Sequence, residues 1–318
     1  MSEQTELNTA VDHRTAVGSA LDDLDLDLVR TRLEQSPRCI ERAGRCIAFD
    51  IHNERGARTW FWFHGAPSSR LEALFVAGWA RRNDIRVVAL DRPGIGGTAP
   101  LGALTALSVV DDVAAVADVI GAERFTVLGG SAGGPYALAC AHAFPSRLDG
   151  VVVTAPGGLA PGSRDVAGWI DRLADALAQR IPWLLSGYVR LLRIGSRLPS
   201  RLLRLGATGV EAPLLHAALD TGLGRTVLDE VLRQGGRGIV DDFRRLGSFG
   251  FSLADLEPRV LFVHGTRDPF VPARQTRRFA ELVPASRYVE LSGAGHGTAI
   301  FALDRIRDEL KEMSARRA

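Results

Sequence analysis

The stretch Leu128-Gly129-Gly130-Ser131-Ala132-Gly133-Gly134 constrains this chain more than any other. It follows Arg124-Phe125-Thr126-Val127-Leu128, a short β-prone run. It precedes Pro135-Tyr136-Ala137-Leu138-Ala139-Cys140-Ala141-His142-Ala143, which is rich in helix formers. A G-x-S-x-G pattern between a strand and a helix predicts a sharp turn with Ser131 at its apex. Gly129 and Gly133, two residues to either side, leave room where a Cβ would strike neighbouring backbone. The turn exposes the serine hydroxyl at a helix N-terminus, whose unpaired N–H groups favour developing negative charge. The plain alternative is a glycine-rich turn with an incidental serine, and the flanking strand, helix and loops weigh against it.

Around that turn, strand and helix signals alternate. Arg38-Cys39-Ile40-Glu41 and Cys46-Ile47-Ala48-Phe49-Asp50-Ile51, with a turn at Ala43-Gly44, read as a hairpin. Thr59-Trp60-Phe61-Trp62-Phe63 is almost continuously apolar, as a central strand buried on both faces would be. It ends at His64-Gly65-Ala66-Pro67. A helix is predicted over 68–82, a strand over Arg86-Val87-Val88-Ala89-Leu90, and a dense turn at Asp91-Arg92-Pro93-Gly94-Ile95-Gly96-Gly97-Thr98. A helix over 108–120 leads into the Ser131 strand, and Gly150-Val151-Val152-Val153-Thr154-Ala155 is the next strand. This order predicts an α/β fold: a mostly parallel sheet covered by helices on both faces, with the hairpin as its antiparallel edge. Ligands in such sheets bind outside the carboxyl ends of the strands. Ser131, His64 and Asp91 all fall just past strand ends.

Residues 156–246 break the alternation. They are rich in Leu, Ala and Arg, and helices are predicted between interruptions at Pro182, Pro199, Gly206 and Pro213. The expected arrangement is a helical cap, or lid, whose apolar inner face lines the pocket. Arg190, Arg193, Arg197, Arg201 and Arg204 recur at helical spacing among leucines and read as a solvated helix face rather than an anionic-lipid surface. The alternation then resumes with the strand Arg259-Val260-Leu261-Phe262-Val263, a loop at His264-Gly265-Thr266-Arg267-Asp268-Pro269-Phe270-Val271-Pro272 and a helix to about 282. The strand Arg287-Tyr288-Val289-Glu290-Leu291 ends at Ser292-Gly293-Ala294-Gly295-His296-Gly297, and a final amphipathic helix is predicted over 298–313. The expected organisation is an N-terminal extension (1–37), a core (38–155 and 247–318) and the cap. The first twenty residues are expected to be disordered, as chain ends often are, and Leu28-Val29-Arg30-Thr31-Arg32-Leu33 to form a short helix.

A net charge of +2 gives no support for nucleic-acid binding. No run approaches the roughly 18 apolar residues of a membrane span, and the polar, acidic start resembles no signal peptide. A cytoplasmic protein without membrane association is expected. Cys39, Cys46 and Cys140 lack metal-site spacing and are odd in number. They read as reduced structural residues rather than a disulfide.

A serine hydroxyl is a weak nucleophile at neutral pH. It needs a base, and the base needs a carboxylate that fixes its tautomer. His296 lies in a Gly-rich loop after the last strand, and Asp268 in the loop after the strand before it. Asp241 and Asp242 are rival acids, disfavoured by their place at the insertion. His64 and His264 each precede Gly and read as turn-shaping residues. The negative oxygen of acyl transfer needs two preorganised N–H donors. Those expected are the backbone N–H groups of Ala66 and Ala132, with His64, Gly65, Gly129 and Gly133 supporting the loops. Pro67 has no N–H to give.

With these residues in this order, the chain resembles the α/β-hydrolase superfamily over about 38–313. The resemblance rests on His64-Gly65-Ala66-Pro67, the Asp91–Thr98 turn, the Ser131 elbow, the His264–Pro272 loop and Gly293-Ala294-Gly295-His296. It implies the triad Ser131, Asp268, His296 and a lidded, serine-dependent hydrolase of small carboxylic esters. A small-molecule substrate is implied, with no metal and no organic cofactor. Ser131 stands where epoxide hydrolases and haloalkane dehalogenases carry Asp, and Ala66-Pro67-Ser68 departs from the Gly-Pro-Gly signature of proline iminopeptidases. Serine-dependent carbon–carbon bond hydrolases and perhydrolase-like members share the same core residues, and a ligand-binding receptor that uses the lidded pocket is a further reading, against which the intact triad argues.

Overall fold

Strand β4 (Arg58–Phe63) shows why the sheet is covered on both sides. Its alternate residues enter different cores: Trp60 and Trp62 pack with Trp79 and Leu128 on one face, Phe61 and Phe63 with Phe125 and Val127 on the other. The computed structural model describes residues 9–10, 29, 31–32, 34–206 and 209–315. In chain order its strands are β1 (Thr9–Ala10), β2 (Arg38–Arg42), β3 (Arg45–His52), β4, β5 (Ile85–Leu90), β6 (Phe125–Gly130), β7 (Leu148–Thr154), β8 (Val260–Gly265) and β9 (Ser286–Ser292). They form one sheet in the order β1-β9-β8-β7-β6-β4-β5-β3-β2. The run from β1 to β5 is parallel, and β3 and β2 complete it as an antiparallel hairpin edge.

Helices α1 (Ala77–Arg82), α2 (Val110–Val119) and α3 (Gly134–Ala143) alternate with the strands up to β7. Between β7 and β8 the chain inserts α4 (Trp169–Arg180), α5 (Pro182–Gly195), α6 (Ser200–Gly206), α7 (Ala212–Asp220), α8 (Leu223–Val231) and α9 (Arg237–Leu246). Helix α10 (Ala273–Leu282) links β8 to β9, and α11 (His296–Ile300) and α12 (Leu303–Ala315) follow. Among the described residues no helix is long and apolar enough to cross a membrane.

Several expectations need correction. The helix expected over 68–82 begins as a 3-10 segment, Arg70–Val76, before α1. The single C-terminal helix is two, α11 and α12, separated at Phe301-Ala302. Pro182 and Pro213 open α5 and α7 rather than merely interrupting helices. A proline's missing N–H costs nothing in the first turn, where that donor has no helical partner. Cys39 and Cys46 are joined in a disulfide with Cα atoms 5.7 Å apart, so the expectation of two reduced thiols is overturned. The hairpin sets them on a diagonal: Cys39 faces Ala48 and Cys46 faces Glu41. Within the stretch expected to be disordered, Thr9 and Ala10 pair with Leu291 and Ser292. Of the helix expected over 28–33, Val29, Thr31 and Arg32 are helical and the rest lies outside the described residues.

Phe125 is fully buried at the start of β6, with its ring 4.7 Å from that of Phe61. Phe125→Ala leaves a cavity on the face that supports the Ser131 turn. Urea unfolding is expected to show a loss of about 3–5 kcal/mol.

Candidate active site

The parallel strands bring four loops to one sheet edge. Ala66 follows β4, Ser131 follows β6, Asp268 follows β8 and His296 follows β9. Ser131 adopts φ +53°, a left-handed conformation uncommon for a residue with a side chain. Its turn is possible because of close backbone approaches on either side. A Cβ on Gly133 would lie 2.0 Å from the Phe63 carbonyl oxygen, and one on Gly129 would lie 2.3 Å from the Gly133 carbonyl oxygen. The same tight fit places Gly65 against Ser131: a Cβ there would sit 3.7 Å from Ser131 Cβ. The Ser131 side of the turn is half-buried, and its carbonyl accepts from the Gly157 N–H at 3.0 Å.

His296 Nδ1 bonds Asp268 Oδ2 at 2.6 Å, with the two side chains 13% and 1% exposed. The other oxygen, Oδ1, accepts from the backbone N–H groups of Phe270 at 2.8 Å and Val271 at 2.9 Å. Burial pushes the Asp268 pKa up, but the bond to His296 and these N–H groups outweigh it and hold the carboxyl below its usual value. His264 also faces Asp268, at 3.9 Å, but its Nδ1 is engaged with Thr276 Oγ1 at 2.8 Å. Burial lowers the His264 pKa.

The Ala66 N–H has no acceptor among the described residues, and Ala132 is buried at the start of the turn into α3. The loop carrying Ala66 is pinned from two directions. Glu72 accepts from the Gly65 N–H at 3.1 Å and from Trp62 Nε1 at 3.0 Å. Arg92 donates to the carbonyls of His64 and Gly65. Arg92 is itself clamped by Asp242, with two bonds of 2.7 Å, and Tyr136 donates to the same carboxylate at 2.6 Å. His64 is fully buried, bonded to the Gly65 carbonyl at 2.8 Å and held neutral, because burial lowers its pKa and Arg92 adds to the effect.

The structure therefore brings Asp268 and His296 into direct contact and gives the other candidates different tasks. Asp242 is a structural partner of Arg92. Asp241 pairs with Arg244 and Arg237 on its own helix. Asp91 accepts from the Arg70 guanidinium and backbone N–H and from the Gly97 N–H. Sequence reasoning missed Arg92 and Glu72, and two carboxylates from the insertion. Asp171 on α4 takes a 2.6 Å bond from Gln275 and lies 3.3 Å from the Cβ position of Gly157, a position only 3.6 Å from Ser131 C. Glu211 accepts from the Gly297 N–H at 3.1 Å, one residue beyond His296. Burial raises the pKa of both. Arg92 lies inside the Asp91–Thr98 turn, but nothing in the sequence marks its partner 150 residues on. Among the described residues no group of three or more His, Cys, Asp or Glu is set to hold a metal.

A strained serine elbow at the carboxyl edge of a mostly parallel sheet, with a histidine–aspartate pair on the following loops, is the arrangement of α/β hydrolases. Residues 63–303 match the family described by the alpha/beta hydrolase fold, and the chain belongs to that family. One similar protein is a 2-hydroxy-6-oxononadienedioate/2-hydroxy-6-oxononatrienedioate hydrolase of Pseudomonas putida, 28% identical over 76% of this chain and 82% of that protein. Another is the dihydrolipoyllysine-residue acetyltransferase component of the acetoin cleaving system of Cupriavidus necator. It is 31% identical over 66% of this chain and 51% of its own length. Among solved structures, a carboxylesterase of Nitrososphaera gargenis superposes with a TM-score of 0.64 at 16% identity, covering 87% of this chain and 98% of its own. A meta-cleavage product hydrolase of Pseudomonas fluorescens superposes at 0.59 and 18%, covering 89% and 99%. At such identities the structural likeness speaks to the fold.

Removing one member of the buried Arg92–Asp242 pair is expected to weaken the fold by stranding the other. Burial alone would raise the Asp242 pKa, yet the Arg92 charge and bonds hold it below the ordinary 3.8. A carboxylate whose folded pKa is depressed stabilises the fold above its unfolded pKa and stops doing so as pH falls through its folded value. Asp242→Ala leaves Arg92 buried without its partner, so chemical denaturation at neutral pH should show a loss of about 3–5 kcal/mol. The gap between wild type and variant should stay constant down to the ordinary carboxylate range and close in stronger acid.

Proposed function

We propose that the chain is a serine hydrolase that cleaves small carboxylic esters through an acyl-enzyme. The observation that carries this reading is the 2.6 Å His296–Asp268 bond at the same sheet edge as an elbow that holds Ser131 in a left-handed conformation. Asp268 takes the Nδ1 proton of His296 as a hydrogen bond and leaves Nε2 free to accept. Ser131 Oγ attacks the ester carbonyl carbon and its proton passes to His296. The resulting oxyanion is held by the Ala66 and Ala132 N–H groups. When the intermediate collapses, the carbon–oxygen bond breaks, His296 returns the proton to the leaving alcohol and the acyl group stays on Ser131. A water molecule then repeats the sequence, releasing the acid and restoring the serine. The α4–α9 insertion serves as the cap, supported by Asp171 beside the elbow, Glu211 beside His296 and Asp242 on the oxyanion-loop tether.

A second reading keeps the same residues but breaks a carbon–carbon bond beside a ketone. It is favoured by two likenesses, to the Pseudomonas putida hydrolase in sequence and to the meta-cleavage product hydrolase in structure.

Mass spectrometry after treatment with a fluorophosphonate is expected to place the label on Ser131 and to show none in Ser131→Ala. With p-nitrophenyl esters of graded chain length, Asp268→Asn should lower kcat by about four orders of magnitude, and His296→Ala should slow labelling as well as turnover. A wild-type Ser131 that stays unlabelled would sink both enzyme readings in favour of a ligand-binding protein. Fast bleaching of a 2-hydroxy-6-oxo-dienoate chromophore beside slow ester turnover would favour the second.

A further inference from the structure

Helix α5 is apolar on two sides, and only one is covered. Leu185 and Val189 are buried against the body of the protein. On the other side Trp183, Leu184, Tyr188, Leu191 and Ile194 are each between 43% and 72% exposed. At helical spacing these five fall within an arc of about 140°. The apolar surface continues past the helix, where Leu198 and Leu202 are about half exposed. A helix face turned to water ordinarily carries polar residues.

The charge that this segment itself carries has one sign. Between Asp175 and Glu211 the sequence holds six arginines and no carboxylate or lysine. Arg193 and Arg197 share Asp229 of α8, and Arg204 pairs with Asp220 of α7. Arg180, Arg190 and Arg201 have no carboxylate partner among the described residues. On the α5 wheel Arg190 borders the apolar arc beside Trp183 and Ile194.

We propose that this face docks on an anionic lipid bilayer. A bilayer supplies both complements at once: an apolar interior for Leu191 and Ile194, and phosphate groups for the unpaired arginines. Trp183 and Tyr188 have the amphipathic rings that settle at such an interface. A second copy of the chain fits worse. A two-fold contact sets the same patch against itself, and this segment has no carboxylate to receive its partner's arginines. The sequence alone pointed the other way, because periodicity counts the leucines without saying that this set is turned outward. The inference does not depend on the hydrolytic reading.

The test is flotation with vesicles of phosphatidylcholine alone and of phosphatidylcholine with phosphatidylglycerol at about three to one. The full chain is expected to float with the mixed vesicles at low salt, to stay behind with the neutral ones, and to be released as salt rises. The double variant Leu191→Ser, Ile194→Ser should lose flotation. Arg190→Glu with Arg201→Glu should lower partition roughly tenfold or more. All four side chains are exposed, so thermal unfolding should match wild type, and Ser131→Ala should float as wild type does. A blue shift of tryptophan emission on vesicle addition, absent in Trp183→Phe, is the second readout. Failure to float with the mixed vesicles at low salt, or equal flotation with both kinds, overturns the proposal. So does a concentration-dependent dimer in sedimentation velocity that the Leu191→Ser, Ile194→Ser variant breaks while no vesicle binding occurs, which assigns the face to a second copy.

Discussion

The rest of the site depends on one backbone contact, the approach of Gly133 to the carbonyl of Phe63. A single added carbon at Gly133 would be 2.0 Å from that oxygen. Because the contact exists, the Ser131 turn lies directly against the end of β4, and the loop that β4 feeds passes beside Ser131. The left-handed backbone at Ser131 is unfavourable by itself. It persists because β6 on one side and α3 on the other are both buried and leave the turn no alternative path. Strand register, glycine placement and serine exposure are thus one constraint seen from three positions.

A second layer of interactions fixes the loop opposite the serine. The half-buried Glu72 and the buried Arg92 hold the Ala66 loop from different sides. Glu72 takes the Gly65 N–H, while Arg92 takes the carbonyls of His64 and Gly65. The Arg92 tether ends at Asp242 on α9, so part of the loop's rigidity comes from the last helix of the insertion. A similar chain runs through Arg70, which meets Asp50 and Asp91 in the core and Glu230 on α8. Such pairs contribute little net stability over apolar packing, but removing one partner strands a buried charge. Through Glu230 and Asp242 they join the insertion to the loops.

The fold and the hydrolase family were legible because their signals are local. The Gly129–Ser131–Gly133 spacing, the apolar run at Thr59–Phe63 and the Gly-rich loop before His296 each require a particular backbone, whatever lies elsewhere. The same held for the His296–Asp268 pairing, since chain order and strand ends restrict which loops can meet. Less legible were features set by partners distant in sequence. Nothing near Arg92 marks Asp242, and nothing near Gly157 marks Asp171 on α4. Cys39 and Cys46 sit on a diagonal of the hairpin, and the odd cysteine count argued against the pairing that geometry allows. The break at Phe301-Ala302 left no proline or glycine to announce it.

The insertion was the least legible region for a physical reason. Periodicity reports that a helix has an apolar side, not how many apolar sides it has or which way each faces. Helix α5 carries apolar residues over well more than half of its circumference, and a sequence reading assigns them to a pocket because burial is the default for such residues. In the structure Leu185 and Val189 meet that default, while Trp183, Leu191 and Ile194 do not. The two faces answer to different demands. The inner one is satisfied by packing within the chain, whereas the outer one exposes apolar area that nothing among the described residues covers. The insertion carries Asp171 on α4, hydrogen-bonded to Gln275, and presents a basic, apolar surface through α5. Only Ile181 separates α4 from α5, so the helix with the exposed apolar face follows directly on the helix that carries Asp171.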